Sequence, residues 1–168
     1  PEYKSIIWDR IYITTLFSFY WDVTLKTIKY YKRSVRNTSD FFIGGIMASI
    51  IPEEIYKEVG IRPYSGLLDK PGLLDYNSIV IDDLIPDYSI LDQIEYKYPL
   101  AGHYFAHATR GCIRKCEFCA VPKIEPVFKE KLPLADYILK IQSEYGAKQD
   151  LILMDNNVLA SPSFNDII

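Results

Sequence analysis

The chain has 168 residues and a formal net charge of −3 at pH 7, and 49% of its residues are hydrophobic. This length fits one domain, or one domain with part of another, and the apolar share is large enough to form a core. No apolar run reaches the roughly 18 to 20 residues of a membrane span, and the N-terminus lacks the basic-then-apolar order of a signal peptide. The mild acidity argues against a nucleic-acid footprint over the whole surface. We therefore expect a cytoplasmic protein, with neither a membrane nor a nucleic acid among its partners.

The first 68 residues have the rhythm of a parallel α/β sheet. A β-rich run at 10–17 predicts a strand, helical spacing of apolar residues begins at Trp21, and a second short strand at 41–45 ends in a glycine pair. A helix from Pro52 to a Gly60 cap follows, and a third strand is predicted at 62–68. This alternation favours a doubly wound parallel sheet.

A linker and a second unit follow in the chain. Residues 69–99 are rich in Asp, Pro and Tyr without sustained periodicity, which favours a linker that could hold a short strand at 78–81. The second unit, 100–168, is predicted to contain a strand near 103–108, a cysteine-containing loop, a helix at 134–145 and a buried strand within 150–157. The sequence stops after this strand, with no room to close a barrel or finish a sheet, so we expect the chain to be a fragment of a longer protein.

All three cysteines of the chain, Cys112, Cys116 and Cys119, lie in this loop with the spacing C-x3-C-x2-C. An odd number at such close spacing argues against a disulfide framework. Thiolates bind zinc, copper(I) and iron–sulfur clusters, and a structural zinc ion or a cubane cluster takes four ligands. Three cysteines therefore leave one coordination position open.

The sequence around the cysteines is basic, and nearby cations favour the thiolate form that binds metals. Residues 110–131 contain six cations and three acids: Arg110, Arg114, Lys115, Lys123, Lys129 and Lys131, against Glu117, Glu125 and Glu130. This excess of positive charge would support a cluster that is net negative.

With Phe118 as the aromatic residue before the last cysteine, the motif resembles the signature of radical S-adenosylmethionine (radical SAM) enzymes. The resemblance implies that Cys112, Cys116 and Cys119 bind three irons of a [4Fe–4S] cluster, and that S-adenosylmethionine chelates the fourth iron. Reductive cleavage of S-adenosylmethionine would give methionine and a 5′-deoxyadenosyl radical, which abstracts hydrogen from a substrate. The family places such a loop after the first strand of a partial (β/α) barrel, of TIM-barrel type.

The same resemblance implies roles for other residues and partners. Phe118 would lie beside the adenine ring. The tip "MDNN" at 154–157 occupies the position at which the family binds the amino group of S-adenosylmethionine, with Asp155 and Asn156 as the expected contacts, although the frequent Gly-Gly-Glu is absent. A one-electron reductant such as flavodoxin or ferredoxin is implied, and the substrate, a small molecule or a peptide, is not identified.

Three runs of the first unit are "YITTLFSFYW" at 12–21, "FIGGIMAS" at 42–49 and "PYSGLL" at 63–68. They resemble the later strands of the flavodoxin-like, cobalamin (B12)-binding-type domain that precedes the radical SAM barrel in one branch of the family. In that branch the second segment carries a Gly-Gly turn that faces the ligand, here Gly44 and Gly45; the alternative is a plain strand-to-helix turn. The corrinoid-ligating Asp-x-His-x-x-Gly motif does not occur in the sequence. Cobalamin therefore has no support from the residues themselves.

Other interpretations of the cysteines remain open at this stage. The three thiols could bind zinc together with His103 or His107, as a non-catalytic structural module, or they could be buried thiols without a ligand. A packing or supporting role is favoured for both histidines.

Asp82 and Asp83 resemble paired catalytic carboxylates, but adjacent residues of an extended chain point in opposite directions, which favours surface or turn positions.

Overall fold

The computed structural model describes residues 6–74, 77–131 and 133–167. The protein is a mixed α/β protein with two compact units, one comprising Pro1–Leu68 and Gly72–Asn77 and the other Asp69–Pro71 and Ser78–Ile168. Within the described residues no helix is both long and apolar enough to cross a membrane.

The first unit is a strand–helix–strand arrangement followed by two short helices. Its elements are β1 (Ile11–Thr15), α1 (Trp21–Tyr31), β2 (Phe41–Gly45), α2 (Ile46–Ile50) and α3 (Pro52–Val59). The two strands pair in parallel, with Ile11 opposite Phe41 and Thr15 opposite Gly45. The predicted strand–helix–strand–helix order is therefore present over this part of the chain.

The core of the first unit lies between its helices and strands. Ile28 of α1, Ile43 of β2 and Ile55 of α3 are almost fully buried and belong to one apolar cluster. Pro52 begins α3, and Gly60 ends it in the left-handed conformation at φ +70°. Both residues have the positions expected of a helix-initiating proline and a C-terminal glycine.

The third strand predicted at 62–68 does not form. Tyr64 donates one backbone hydrogen bond to the carbonyl oxygen of Ile43, over 2.8 Å. Pro63 has no N–H to donate, and Gly66 turns the chain at φ +82°. Among the described residues, the sheet of this unit therefore has two strands.

The second unit also contains a pair of parallel strands, and it adds a small antiparallel pair. Its elements are β3 (Tyr104–Ala106), β4 (Thr109–Arg110), α4 (Val121–Ile124), β5 (Lys129–Glu130), α5 (Leu134–Tyr145), β6 (Leu151–Leu153) and α6 (Phe164–Ile167). β3 pairs in parallel with β6, and β4 pairs antiparallel with β5. Tyr88, Tyr104 and Ile141 form its buried apolar cluster.

Much of the segment expected to be a linker is part of the second unit. Residues 78–99 belong to it, and Ile81–Asp83 is a short 3-10 helix rather than a strand. The buried Tyr88 explains the difference, since its hydroxyl accepts a hydrogen bond from the N–H of Phe105 (3.0 Å) and donates one to the carbonyl of His103 (3.1 Å). The last predicted strand is shorter than 150–157, and its first residue, Leu151, is exposed rather than buried.

Candidate functional site

The cysteine loop, residues 111–120, connects β4 to α4 in the second unit. The antiparallel pairing sets Thr109 opposite Glu130 and Arg110 opposite Lys129. The N–H of Lys131 extends this contact by donating to the carbonyl of Ala108 over 2.7 Å. The chain segments before and after the loop are therefore held side by side.

The three cysteines are all free thiols, with Cys112 and Cys119 partly buried and Cys116 exposed. Across residues 6–74, 77–131 and 133–167, no three His, Cys, Asp or Glu side chains are grouped so that they could hold a metal ion. The sulfur atoms therefore share one loop without converging on a point. Their donor chemistry fits a thiolate-bound metal, and the loop would have to draw the sulfurs together around it, as metal-binding loops do when folding is coupled to binding.

The sulfur of Cys112 already has two hydrogen-bond donors. The backbone N–H of Arg114 and the side-chain amide of Asn157 each donate to Sγ over 3.4 Å. Asn157 lies in the tip that follows β6, so this contact joins the tip directly to the first cysteine. N–H donors to ligating sulfurs are among the features that set the reduction potential of an iron–sulfur cluster.

Asp155, which the sequence analysis expects to contact a cosubstrate, instead supports the strand that leads into the loop. One carboxylate oxygen accepts a hydrogen bond from the N–H of Ala108 over 3.1 Å. The other accepts from the N–H and the hydroxyl of Thr109. Both oxygens are engaged within the protein, so any cosubstrate contact of Asp155 would compete with the junction between β3 and β4.

Asn156, the other residue expected at the cosubstrate, contacts the base of the cysteine loop, by which we mean Gly111 and Glu125. Its side-chain amide donates to Oε2 of Glu125 over 2.9 Å. The same oxygen accepts the N–H of Gly111 over 2.6 Å. Three consecutive tip residues, 155–157, therefore contact respectively the strand before the loop, the residue after α4 and a cysteine.

A buried network of charges lies beside the loop. The guanidinium of Arg110 binds the carboxylate of Asp82 and, over 3.3 Å, that of Glu125. Lys131 also binds Asp82, over 2.9 Å. Asp82 and Asp83 lie in the same short 3-10 helix, where the side chain of Asp82 is only 7% exposed and that of Asp83 is 66% exposed. Of the predicted surface or turn positions, Asp82 therefore has a turn position with a buried side chain, and Asp83 is at the surface.

This network changes the electrostatics expected from the sequence. Arg110 and Lys131 bind carboxylates, and Lys129 binds Asp69 over 3.0 Å. The cations of the loop itself, Arg114 and Lys115, are exposed to solvent. The positive field at the cysteines is therefore weaker than the count of basic residues suggests, because several of these charges are neutralised by nearby acids.

Phe118 is the most exposed large apolar residue of the loop. Its side chain is 94% exposed, between Cys116 and Cys119 in the sequence. A ring face that is open to water is available to stack on a planar ligand.

The two histidines of the second unit lie outside any metal-binding group among the described residues. His103 has Nδ1 3.2 Å from the carbonyl oxygen of Leu100 and Nε2 3.6 Å from the carboxylate of Asp150. Burial, with a smaller contribution from Arg110, lowers the pKa of His107, and this favours the neutral ring at pH 7.

Gly44 and Gly45 line a cavity of about 300 Å³ in the first unit, together with Tyr12, Phe42 and Tyr64. Gly45 has φ +98°, and a Cβ there would clash with the carbonyl oxygen of Thr15. Close packing of β1 against β2 therefore accounts for this glycine, which directly precedes α2 as in a strand-to-helix turn. Gly44 has room for a Cβ, 3.9 Å from the carbonyl oxygen of Tyr64.

Comparison with known proteins gave no match for this chain among family models, curated proteins or solved structures.

Proposed function

We propose that the chain belongs to a radical SAM enzyme in which Cys112, Cys116 and Cys119 are the cluster ligands. The observation that carries the proposal is the C-x3-C-x2-C motif, which gathers every thiol of the chain into one loop. The loop follows the first strand of a parallel strand pair, β3 and β6, and all three thiols are free. The three cysteines would hold a [4Fe–4S] cluster, which would supply the electron for reductive cleavage of S-adenosylmethionine once an external one-electron donor has reduced it.

The parallel strand pairs of the two units support a more specific fold assignment for each unit. We propose that the second unit forms the opening β/α units of a partial TIM-type barrel, and that the first unit is part of a flavodoxin-like sheet. The parallel pairing of β3 with β6 and of β1 with β2 supports these assignments, since parallel strands need a crossover such as the helices between them. Cobalamin is left out of the proposal because the sequence has no histidine motif to ligate it.

The remaining roles are those of binding and orientation. The exposed ring of Phe118 offers a stacking face for adenine, and such base–aromatic contacts contribute about 1–3 kcal/mol. Asn157 donates to the sulfur of Cys112 and would orient that ligand. Asp155 holds the backbone before the loop, and Asn156 holds Glu125 after it.

The test is a single-turnover assay with the anaerobically reconstituted full-length gene product, dithionite and S-adenosylmethionine. We expect 5′-deoxyadenosine and methionine in equal amounts, detected by liquid chromatography and mass spectrometry. A variant with all three cysteines replaced by alanine is the control and should form neither product. A colourless protein that holds one zinc ion per chain would instead support the structural module.

A further inference from the structure

We propose that Glu125 is a positioning residue: its carboxylate closes the base of the cysteine loop, and metal binding by the loop depends on this closure. This inference rests on the proposed function, because it concerns the same three cysteines. Glu125 follows α4 directly and lies outside the cysteine motif.

The carboxylate of Glu125 joins three segments of the second unit. Oε2 accepts hydrogen bonds from the N–H of Gly111 (2.6 Å) and from the side-chain amide of Asn156 (2.9 Å), while Oε1 accepts from the guanidinium of Arg110 (3.3 Å). Gly111 immediately precedes Cys112, and Asn156 immediately precedes Asn157, which contacts the sulfur of Cys112. One side chain therefore fixes both the start of the loop and the tip that reaches its first cysteine.

The backbone packing at the same place points to the same role. Gly111 has φ +76°, and a Cβ there would lie 2.5 Å from the carbonyl oxygen of Val127 and 3.0 Å from that of Glu125. The chain entering the loop is thus pressed against the chain leaving it. The side chain of Glu125 is only 10% exposed, so water cannot easily replace the hydrogen bonds that it accepts.

Glutamine cannot reproduce this arrangement, although it has the same shape. Each oxygen of Glu125 faces donors: Gly111 and Asn156 on one side, Arg110 on the other. An amide has one acceptor oxygen and one NH₂ group. In either orientation of Glu125→Gln, the NH₂ group would therefore face another donor, and one contact of the base would be lost.

The test compares three proteins: the wild-type chain, Glu125→Gln and Glu117→Gln. Glu117 lies in the cysteine loop, two residues before Cys119, and is exposed. Glu117→Gln therefore removes one negative charge, as Glu125→Gln does, without changing the base of the loop. Cobalt(II) is the metal probe, added anaerobically, because thiolate ligation produces a charge-transfer absorption that can be titrated. Hydrogen exchange at the amides of 110–112 reports on the base of the loop without metal.

We expect Glu125→Gln to bind cobalt(II) at least about tenfold more weakly, the lower end of the effect of removing groups that orient metal ligands. Exchange at 110–112 should be faster, while exchange in α5 stays as in the wild type. Glu117→Gln should match the wild type in both measurements.

Equal cobalt affinity in Glu125→Gln and the wild type would overturn the proposal, as would faster exchange throughout α5, which would show a general loss of stability instead. If the wild-type chain binds no cobalt, the proposed cluster site fails. The role of Glu125 is then tested by hydrogen exchange alone. Unchanged exchange rates at the amides of 110–112 in Glu125→Gln would overturn its role at the base of the loop.

Discussion

Asp155, the first residue of the tip after β6 to bear a charge, accepts hydrogen bonds from both the N–H and the hydroxyl of Thr109, 46 residues earlier in the chain. It also accepts the N–H of Ala108. A single carboxylate therefore ties the end of β6 to the strand that leads into the cysteine loop.

We expect Asp155→Asn to lower the free energy of local unfolding around β3 and β4 by about 1–3 kcal/mol, because a buried N–H loses its charged acceptor. Native-state hydrogen exchange at residues 104–109 measures this change. Asp92→Asn is the control, since Asp92 is exposed and should be neutral to replacement. Equal exchange in both variants would show that the contacts of Asp155 do not hold the strand.

Gly111→Ala should disrupt the base of the cysteine loop. The residue is in the left-handed region, and the added methyl group would meet the backbone at Val127, so we expect a cost of about 1–3 kcal/mol from backbone strain alone. Gly102→Ala is the matched control, because a Cβ there would lie 3.9 Å from the side chain of Gln149. Urea denaturation of the two variants compares them, and a Gly111→Ala midpoint equal to that of Gly102→Ala would contradict the packing described.

His107 should make the second unit less stable in mild acid. Burial lowers its folded pKa below 6.5, with Arg110 contributing and Asp155, Glu125 and Asp82 opposing. Because the unfolded chain then binds the proton more readily, stability falls as the pH drops below about 6.5 and levels off below the folded pKa.

NMR titration of the His107 ring should give a midpoint below 6.5, and His107→Gln should weaken the pH dependence of unfolding in that window. A midpoint at or above 6.5 would contradict the buried, neutral assignment.

Phe118→Ala should separate binding from stability. The ring is 94% exposed, so its removal should change the free energy of unfolding by no more than about 0.5 kcal/mol. Loss of stacking should weaken S-adenosylmethionine binding to the reconstituted protein by about 10- to 100-fold. Ile113→Ala is the control, another exposed apolar residue of the loop. Isothermal titration calorimetry measures the affinity of both variants for S-adenosylmethionine. Equal affinities would show that Phe118 does not contact it.

Local patterns account for the elements that were predicted well. The helix at 21–31 is signalled by its apolar period, and the helix Pro52–Val59 by the proline that begins it and the glycine that follows it. These signals lie within a few residues of each helix, and both helices form. The third strand fails for an equally local reason, since Pro63 lacks the donor that a ladder requires.

The base of the candidate site depends on partners that are distant in sequence. Asp82 meets Arg110 across 28 positions, and Asn156 meets Glu125 across 31. No period or motif links such residues, and the fold of the second unit brings them together. The spacing of the cysteines, by contrast, is visible in the sequence because the chemistry of the loop is encoded in eight consecutive positions.

The most direct test of the central claim is the iron and sulfide content of the anaerobically reconstituted chain, followed by electron paramagnetic resonance of the reduced protein with and without S-adenosylmethionine. We expect about four irons and four sulfides per chain, a signal that changes when S-adenosylmethionine is added, and loss of the cluster when Cys116 is replaced by alanine. Iron content near zero, or a cluster signal that S-adenosylmethionine leaves unchanged, would contradict a three-cysteine site with one open iron.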